Sequence, residues 1–264
     1  MSEAPKRSFV ARFHLKPITW FLIIVVVIYL AGQLTEANLL AFFNGHAIQQ
    51  FGVIFGRMLH PEWSYFPQVI EPILETVRMA LVGTLVGSIL AIPVAMLQAS
   101  NVDKIPVLRT VVRILSNLVR TLPDLLMAAI FVAVFGIGPF AGVLTLVIFS
   151  FGQMAKLSYE AIETVDPGPI DALETAGANK VQVISFAIVP QVLNTFISNF
   201  LYTFEVNVRA STVLGWVGAG GVGQLLDSSL RFTNYERAAV IILAILVVVI
   251  IIEVISNYLR GKLA

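Results

Sequence analysis

Two long, mostly apolar stretches stand out along the chain, residues 17–34 and 238–258. A helix needs about 20 mostly apolar residues to cross the hydrocarbon core of a bilayer, and both stretches are long enough. Four more qualify with interruptions. Residues 71–97 carry Glu75 and Arg78 near their start, and residues 122–135 extend backward into 111–119. Residues 139–157 follow the tight turn Gly136-Ile137-Gly138, and residues 192–206 complete the set. Glycine and proline inside these runs do not argue against helices, because neighbouring helices re-satisfy the freed backbone groups. Kinks are expected at Pro93 and Pro190. The pattern predicts an all-α polytopic membrane protein of about six transmembrane helices.

Composition agrees. Of 264 residues, 58% are hydrophobic and only 12% charged, against about 45–50% and 25% in soluble domains. Half the usual charge cannot cover a soluble surface of this size, and so apolar a chain is not disordered. A net charge of +1 gives no reason to expect a nucleic-acid partner. There are no cysteines, which excludes disulfides, thiolate metal sites and cysteine nucleophiles. His14, His46 and His60 are scattered without metal-ligand spacing.

Charge also orients the chain. Lys6, Arg7, Arg12 and Lys16 precede the first apolar run as they would in a secretory signal. No convincing small-x-small cleavage site follows and more spans come after, so an uncleaved first span is expected. With both termini cytoplasmic, six spans place 12 of the 17 basic residues on the inner side. Arg57, Arg78, Arg209, Arg231 and Arg237 remain for the outer segments and span ends. This is the arrangement the positive-inside rule favours, in a cytoplasmic (inner) membrane. The one long outer segment, 35–70, contains Trp63, Tyr65 and Phe66, suited to an interfacial belt, and Gly52-x-x-x-Gly56. It is expected to form one or two amphipathic helices on the membrane face, with no separate soluble domain.

Gly83, Gly87, Ala91 and Ala95 recur every four residues and form one stripe of small side chains, against which another helix can pack closely. Gly138-x-x-x-Gly142 offers a shorter site. Either stripe could serve packing within the chain or a homodimer seam.

Little in the chain suggests chemistry of its own. No Gly-x-x-x-x-Gly-Lys-[Ser/Thr] run exists, so an ATP site of the Walker type is absent. Gly218-Ala219-Gly220-Gly221-Val222-Gly223 fits the dinucleotide fingerprint, but it lies between two spans rather than after a strand. A flexible or closely packed loop at the mouth of a pathway is the better account. No histidine falls in a later span, so a Ser–His nucleophile pair is not expected. Intramembrane ionisable groups carry more weight, because they are costly and usually face a cavity or a partner. They are Glu75, Arg78, Asp124, Glu205, Arg209 and Glu253. Glu75 and Arg78 could neutralise each other. Glu205, Asn207 and Arg209 alternate, with Ser211 and Thr212 just after. An unwound or outer-loop geometry would bring them together, for structural ion pairing or to line a solute route with Gly220 and Gly221.

The inner loop between the fourth and fifth spans is the most informative stretch. Asp166-Pro167-Gly168-Pro169 stops the arriving helix, and Pro169 suits the first position of a new one. Residues 170–176 then make two turns before Gly177, a natural left-handed terminator. Asn179-x-x-Gln182 resembles a capping box that starts the fifth span. A free two-turn helix is unstable in water, so this one must dock on the chain's own span ends or on another subunit.

Asp171-Ala172-Leu173-Glu174-Thr175-Ala176-Gly177, with Pro190 thirteen residues on, resembles the Glu-Ala-Ala-x-x-x-Gly…Ile-x-Leu-Pro signature of bacterial ABC importer permeases. Asp171, Leu173, Ala187 and Val189 are its departures. Residues 120–124, 135–142 and 205–224 are similar to the phosphonate-type branch, and the resemblance covers roughly 71–258. It implies a type I importer permease fold with a cytoplasmic coupling helix carrying Asp171, Ala172, Leu173, Glu174, Ala176 and Gly177. That helix would sit in a groove of a separate ATP-binding subunit. It further implies a permease homodimer or close heterodimer in the bilayer and an extracytoplasmic substrate-binding protein. ATP and magnesium would reside on the partner ATPase, with no cofactor on this chain. The expected organisation is 1–70 for the tail, first span and outer segment, 71–258 for the permease domain, and 259–264 for a cytoplasmic tail. The expected cargo is a small phosphorus oxyanion, a phosphonate foremost. A methionine or other amino-acid permease is the alternative within the class. An ion-coupled transporter with Glu75, Glu205 or Glu253 as proton relay is the alternative outside it.

Overall fold

The computed structural model describes residues 17–34, 45–102 and 104–263. Lys6, Arg7, Arg12, His14, Lys16 and the beginning of the outer segment at 35–44 lie outside these residues. Two units are distinguished, 1–56 and 57–264. In the first lies α1 (Pro17–Leu34), apolar on every side and without a charged residue. The amphipathic α2 (Gly45–Met58) follows and runs across the boundary.

In the second unit a 3-10 turn, Trp63–Tyr65, leads directly into α3 (Phe66–Gln98). The second span therefore starts five residues earlier than the apolar run suggests, because Pro67 occupies the first turn, where its missing N–H costs nothing. α3 continues unbroken through Pro72 and Pro93. α4 (Pro106–Thr121) and α5 (Asp124–Phe135) are separate helices meeting at 81°, which corrects the expected single span through 111–135. Pro123 is the cause. It pushes Leu122 into the extended region (ψ 128°) and is itself extended (ψ 131°). α4 carries Arg109, Arg113 and Arg120, and is held by its charges: Arg113 donates to the Gln98 carbonyl at 2.9 and 2.5 Å and to Glu163 at 2.6 Å.

α6 (Pro139–Glu163) returns across the membrane, followed by α7 (Pro167–Thr175) and α8 (Lys180–Val183). A π-helical turn, Ile184–Ile188, then opens into α9 (Val189–Leu214). The wide turn lies next to Pro190, whose ring would crowd the carbonyl four residues back in a regular α-helix. After the 3-10 turn Gly215–Val217 come the short α10 (Gly221–Arg231) and α11 (Tyr235–Leu263). Four of these helical stretches are long and apolar enough to cross a membrane, the bent α4–α5 pair makes a fifth, and Thr19–Leu34 of α1 is a shorter apolar helix. No strand occurs among the described residues.

The core of the second unit is α3 against α6, with α9 laid across both. Ala91 and Ala95 are fully buried. A Cβ on Gly83 would lie 2.5 Å from the Leu146 Cβ, and one on Gly87 2.6 Å from the Val147 carbonyl oxygen. The small-residue stripe is thus filled by α6 of the same chain. Gly142 meets Met79 and the Ala219 carbonyl in the same manner. Where α3 and α11 begin, two ion pairs cross: Arg57–Glu236 at 2.7 Å and Arg237–Glu62 at 2.8 Å, with each arginine also over a tyrosine ring, Tyr235 and Tyr65. The hydrogen bond from Arg237 holds the Glu62 carboxyl below the usual carboxylate range.

Candidate functional site

The helix between the two inner-loop breakers begins two residues earlier than expected. Asp166 is its cap, the side chain accepting from the Gly168 N–H at 3.0 Å, and Pro167 rather than Pro169 takes the first position. The Asp166 N–H donates to Gln191 Oε1 at 2.9 Å, tying the start of α7 to the start of α9. The helix closes on Gly177 (φ 84°), with the Ala178 N–H returning to the Leu173 carbonyl. Asn179 and Gln182 form the reciprocal capping box, at 2.8 and 3.0 Å.

α7 has two faces. Ile170 is buried in a cluster with Ala95, Ala99, Ile162, Val183, Ala187 and Ile188, and Leu173 packs against the same cluster. The docking demand of a short helix is therefore met by the chain itself on this face. Leu173, which stands where the signature has its second alanine, belongs to that inner side. Asp171, Ala172, Glu174, Ala176 and Gly177 are exposed. Glu174 reaches Lys104 at 3.6 Å.

The second group of singled-out residues lies on α9, which is helical throughout 205–209 and not unwound. Glu205 and Arg209, four residues apart, accordingly share one face, and Asn207 and Ser211 share another. Glu205, 6% exposed, gives one carboxylate oxygen to Arg209 and the other to Arg260 of α11 at 3.1 Å. The Arg209 side chain is 53% exposed and so leaves the protein surface with a guanidinium edge. Asn207 is fully buried, donating to Thr84 at 2.7 Å and Ser150 at 2.6 Å, and its Oδ1 has no protein partner among the described residues. Ser211 is fully buried and donates to the Val208 carbonyl at 2.9 Å. The structure thus packs Asn207 and Ser211 inside the bundle and brings Glu205, Arg209 and Arg260 together. Arg260 lies 55 residues from Glu205 in the sequence, where it reads only as an inner charge.

Arg78 does not pair with Glu75. It reaches Glu71 at 3.1 Å, and both side chains are well exposed, so the pair contributes little. The glycine segment is closely packed rather than flexible. Gly220 lies against Pro139 and Glu75, and Gly221 against the Thr76 hydroxyl, which accepts from the Val222 N–H at 2.8 Å. Both glycines have positive φ, 82° and 72°, and α10 begins directly on the second.

Residues 83–264 match the family described as binding-protein-dependent transport system inner membrane component. The chain belongs to this family. It is 37% identical to the phosphite transport system permease protein PtxC of Stutzerimonas stutzeri, over 91% of this chain and 86% of that protein. It is 38% identical to the phosphate-import permease protein PhnE of Mycolicibacterium smegmatis, over 98% of this chain but 48% of that longer protein. The MetNI methionine ABC transporter in its inward-facing conformation shares the fold, with a TM-score of 0.66 at 21% identity, over 74% of this chain and 96% of that one. The permease is therefore a multi-pass membrane transport subunit of type I importer architecture, and not an enzyme. Permeases of this family work with an ABC ATPase and a substrate-binding protein. Membership favours the ATP-driven reading over the ion-coupled alternative.

Proposed function

We propose that this permease imports a small phosphorus oxyanion, a phosphonate foremost, across the cytoplasmic membrane, with both termini on the cytoplasmic side. The observation that carries the cargo class is the 37% identity over 91% of the chain to a phosphite permease. The charged cluster on α9 supports it. Two guanidinium groups and one carboxylate leave one net positive charge, and the exposed edge of Arg209 can make charge-assisted hydrogen bonds to phosphoryl oxygens. Arg78 and the segment at Gly220 and Gly221 form the outer approach in this proposal. The exposed face of α7 (Asp171, Ala172, Glu174, Ala176 and Gly177) enters the groove of the ATP-binding subunit, which holds the ATP and magnesium. Leu173 and Ile170 anchor the helix from behind, so force on the exposed face passes to the inner ends of α3, α6 and α9. Two permease copies, identical or closely related, enclose the route.

The test is reconstitution of the permease with its ATP-binding subunit and binding protein, following ATP hydrolysis and uptake for phosphonates, phosphite, phosphate and methionine. Stimulation by a phosphorus oxyanion that is lost on Asp171→Lys or Gly177→Val is expected. Stimulation by methionine alone would discard the cargo and keep the class. Uptake unchanged by Arg209→Glu would remove Arg209 from the route.

A further inference from the structure

Between the inner halves of α3, α6 and α9 lies a cavity of about 170 Å³, walled by aliphatic and aromatic side chains that include Ile92, Val189, Leu193 and Phe196. One hydroxyl interrupts this apolar lining. Ser158 of α6 is 6% exposed, and its Oγ has no hydrogen-bond partner among the described residues. A serine inside a helix ordinarily bonds back to the carbonyl one turn earlier, as Thr84 and Thr145 do here at 2.7 and 2.9 Å. A buried hydroxyl without a partner is disfavoured, and it is a ready donor and acceptor for whatever occupies the space. Leu193 and Val189 are themselves exposed, which leaves the cavity open on one side.

Two further features mark the place. The π-helical turn at Ile184–Ile188 ends on Val189, which lines the cavity, and such turns concentrate at functional sites. In addition, Ala95, Met96, Ile162 and Val192 serve two purposes. They line the cavity and also belong to the cluster that seats Ile170 and Leu173 of α7. An occupant would press on the wall that supports the inner-loop helix.

We propose that this cavity is a binding site for a small uncharged amphiphile, a medium-chain alkyl group ending in a hydroxyl, which enters from the bilayer and alters the seating of α7. An apolar cavity of roughly 150 Å³ accommodates benzene, so this one holds the hydroxyl end and the first carbons, while the rest of the alkyl chain extends through the open side at Val189 and Leu193. The near absence of polar lining excludes a charged headgroup, and the single free hydroxyl matches a single polar end. The occupant's alkyl chain replaces missing van der Waals contacts, and its hydroxyl completes Ser158.

The permease assembled with its ATP-binding subunit in lipid nanodiscs is photolabelled with a diazirine-bearing octanol and the labelled residues are located by mass spectrometry. Label concentrated on the cavity-facing residues of α6 and α9, displaced by excess octanol, is expected. Octane should displace it about fivefold less well, the worth of one hydrogen bond, and Ser158→Ala should abolish that difference. Ala161→Phe, which fills the space, should remove the label from a protein that still assembles. Label spread evenly over bilayer-facing residues, equal competition by octane, or displacement only by phospholipid would each overturn the binding site. Octanol should also change ATP hydrolysis at least twofold in the unaltered complex and not in Ala161→Phe. This last arm rests on the proposed role of α7. Intact labelling without a change in hydrolysis would overturn the link to α7, whereas the labelling itself does not depend on it.

Discussion

Gly87 sets the distance between α3 and α6, and replacing it with alanine isolates that contact. The added methyl would lie 2.6 Å from both the Ser150 Cβ and the Val147 carbonyl oxygen and 2.8 Å from the Phe151 nitrogen. Two of these are backbone atoms and cannot rotate aside. Ordinary contact begins at 3.4 Å, so α6 must move by about 0.8 Å, the difference between 3.4 and 2.6 Å. Overpacking of this kind costs about 1–3 kcal/mol. The same movement disturbs the hydrogen bond from Asn207 to Ser150, and the Asn207 Oδ1 already lacks a partner among the described residues. An interhelical hydrogen bond in a membrane protein averages about 0.6 kcal/mol. Alanine gains up to about 1 kcal/mol over glycine as a helix former, which offsets part of the loss. The net is a destabilisation of about 1–3 kcal/mol. Gly261, also helical, has no atom within 4 Å of its would-be Cβ, so Gly261→Ala keeps the gain without the clash. Thermal unfolding of the detergent-solubilised permease, followed by tryptophan fluorescence, should place Gly87→Ala below the wild type and Gly261→Ala level with or above it. A Gly87→Ala protein that melts together with the Gly261→Ala protein would refute the packing argument.

Three other outcomes follow from the geometry. Gly177 has φ 84° with nothing near its would-be Cβ, so Gly177→Ala should cost about 1 kcal/mol through backbone conformation alone and Gly177→Asn less, read by denaturant unfolding. Removing one partner of a buried ion pair costs about 3–5 kcal/mol, but Arg209 and Arg260 are 53% and 28% exposed, so Glu205→Gln should lose about 1–2 kcal/mol after solvent screening. The double variant with Arg260→Gln should lose less than the sum of the singles, and strict additivity would dissolve the cluster as an energetic unit. Glu62 has a folded-state pKa depressed by Arg237, so its contribution is present above the unfolded carboxylate value and is lost as pH falls through the lower folded value. The stability difference between wild type and Glu62→Gln should therefore shrink on acidification, and a difference that grows would contradict the ion pair.

The apolar stretches and the inner-loop punctuation were legible in the sequence because they rest on local rules. Asp166, Gly177, Asn179 and Gln182 act on backbone groups within three residues of themselves, and the structure differs only in starting α7 at Pro167. The bend at Leu122–Pro123 was also local and could have been read from the residue before proline, but the apolar run on both sides masked it. Glu205 was different. Alternating polar residues suggest an unwound or outer-loop segment, whereas their partners come from Thr84 of α3, Ser150 of α6 and Arg260 of α11. Those contacts exist only once the helices have packed, so no local pattern encodes them. The same holds for the crossed pairs of Arg57, Glu62, Glu236 and Arg237.

The fit of Gly83 and Gly87 against α6 has a mechanical consequence. Two helices that interlock through backbone atoms cannot slide past one another by a residue without driving side chains into main chain. α3 and α6 therefore behave as a single stiff beam, and α6 alone is about 37 Å long at 1.5 Å per residue. One end of the beam holds Ile162 beside Ile170, and the other holds Gly142 against Ala219, next to the glycine turn that starts α10. A tilt imposed at the end beside α7 reaches the opposite end as displacement of that turn, undiminished by slip along the way.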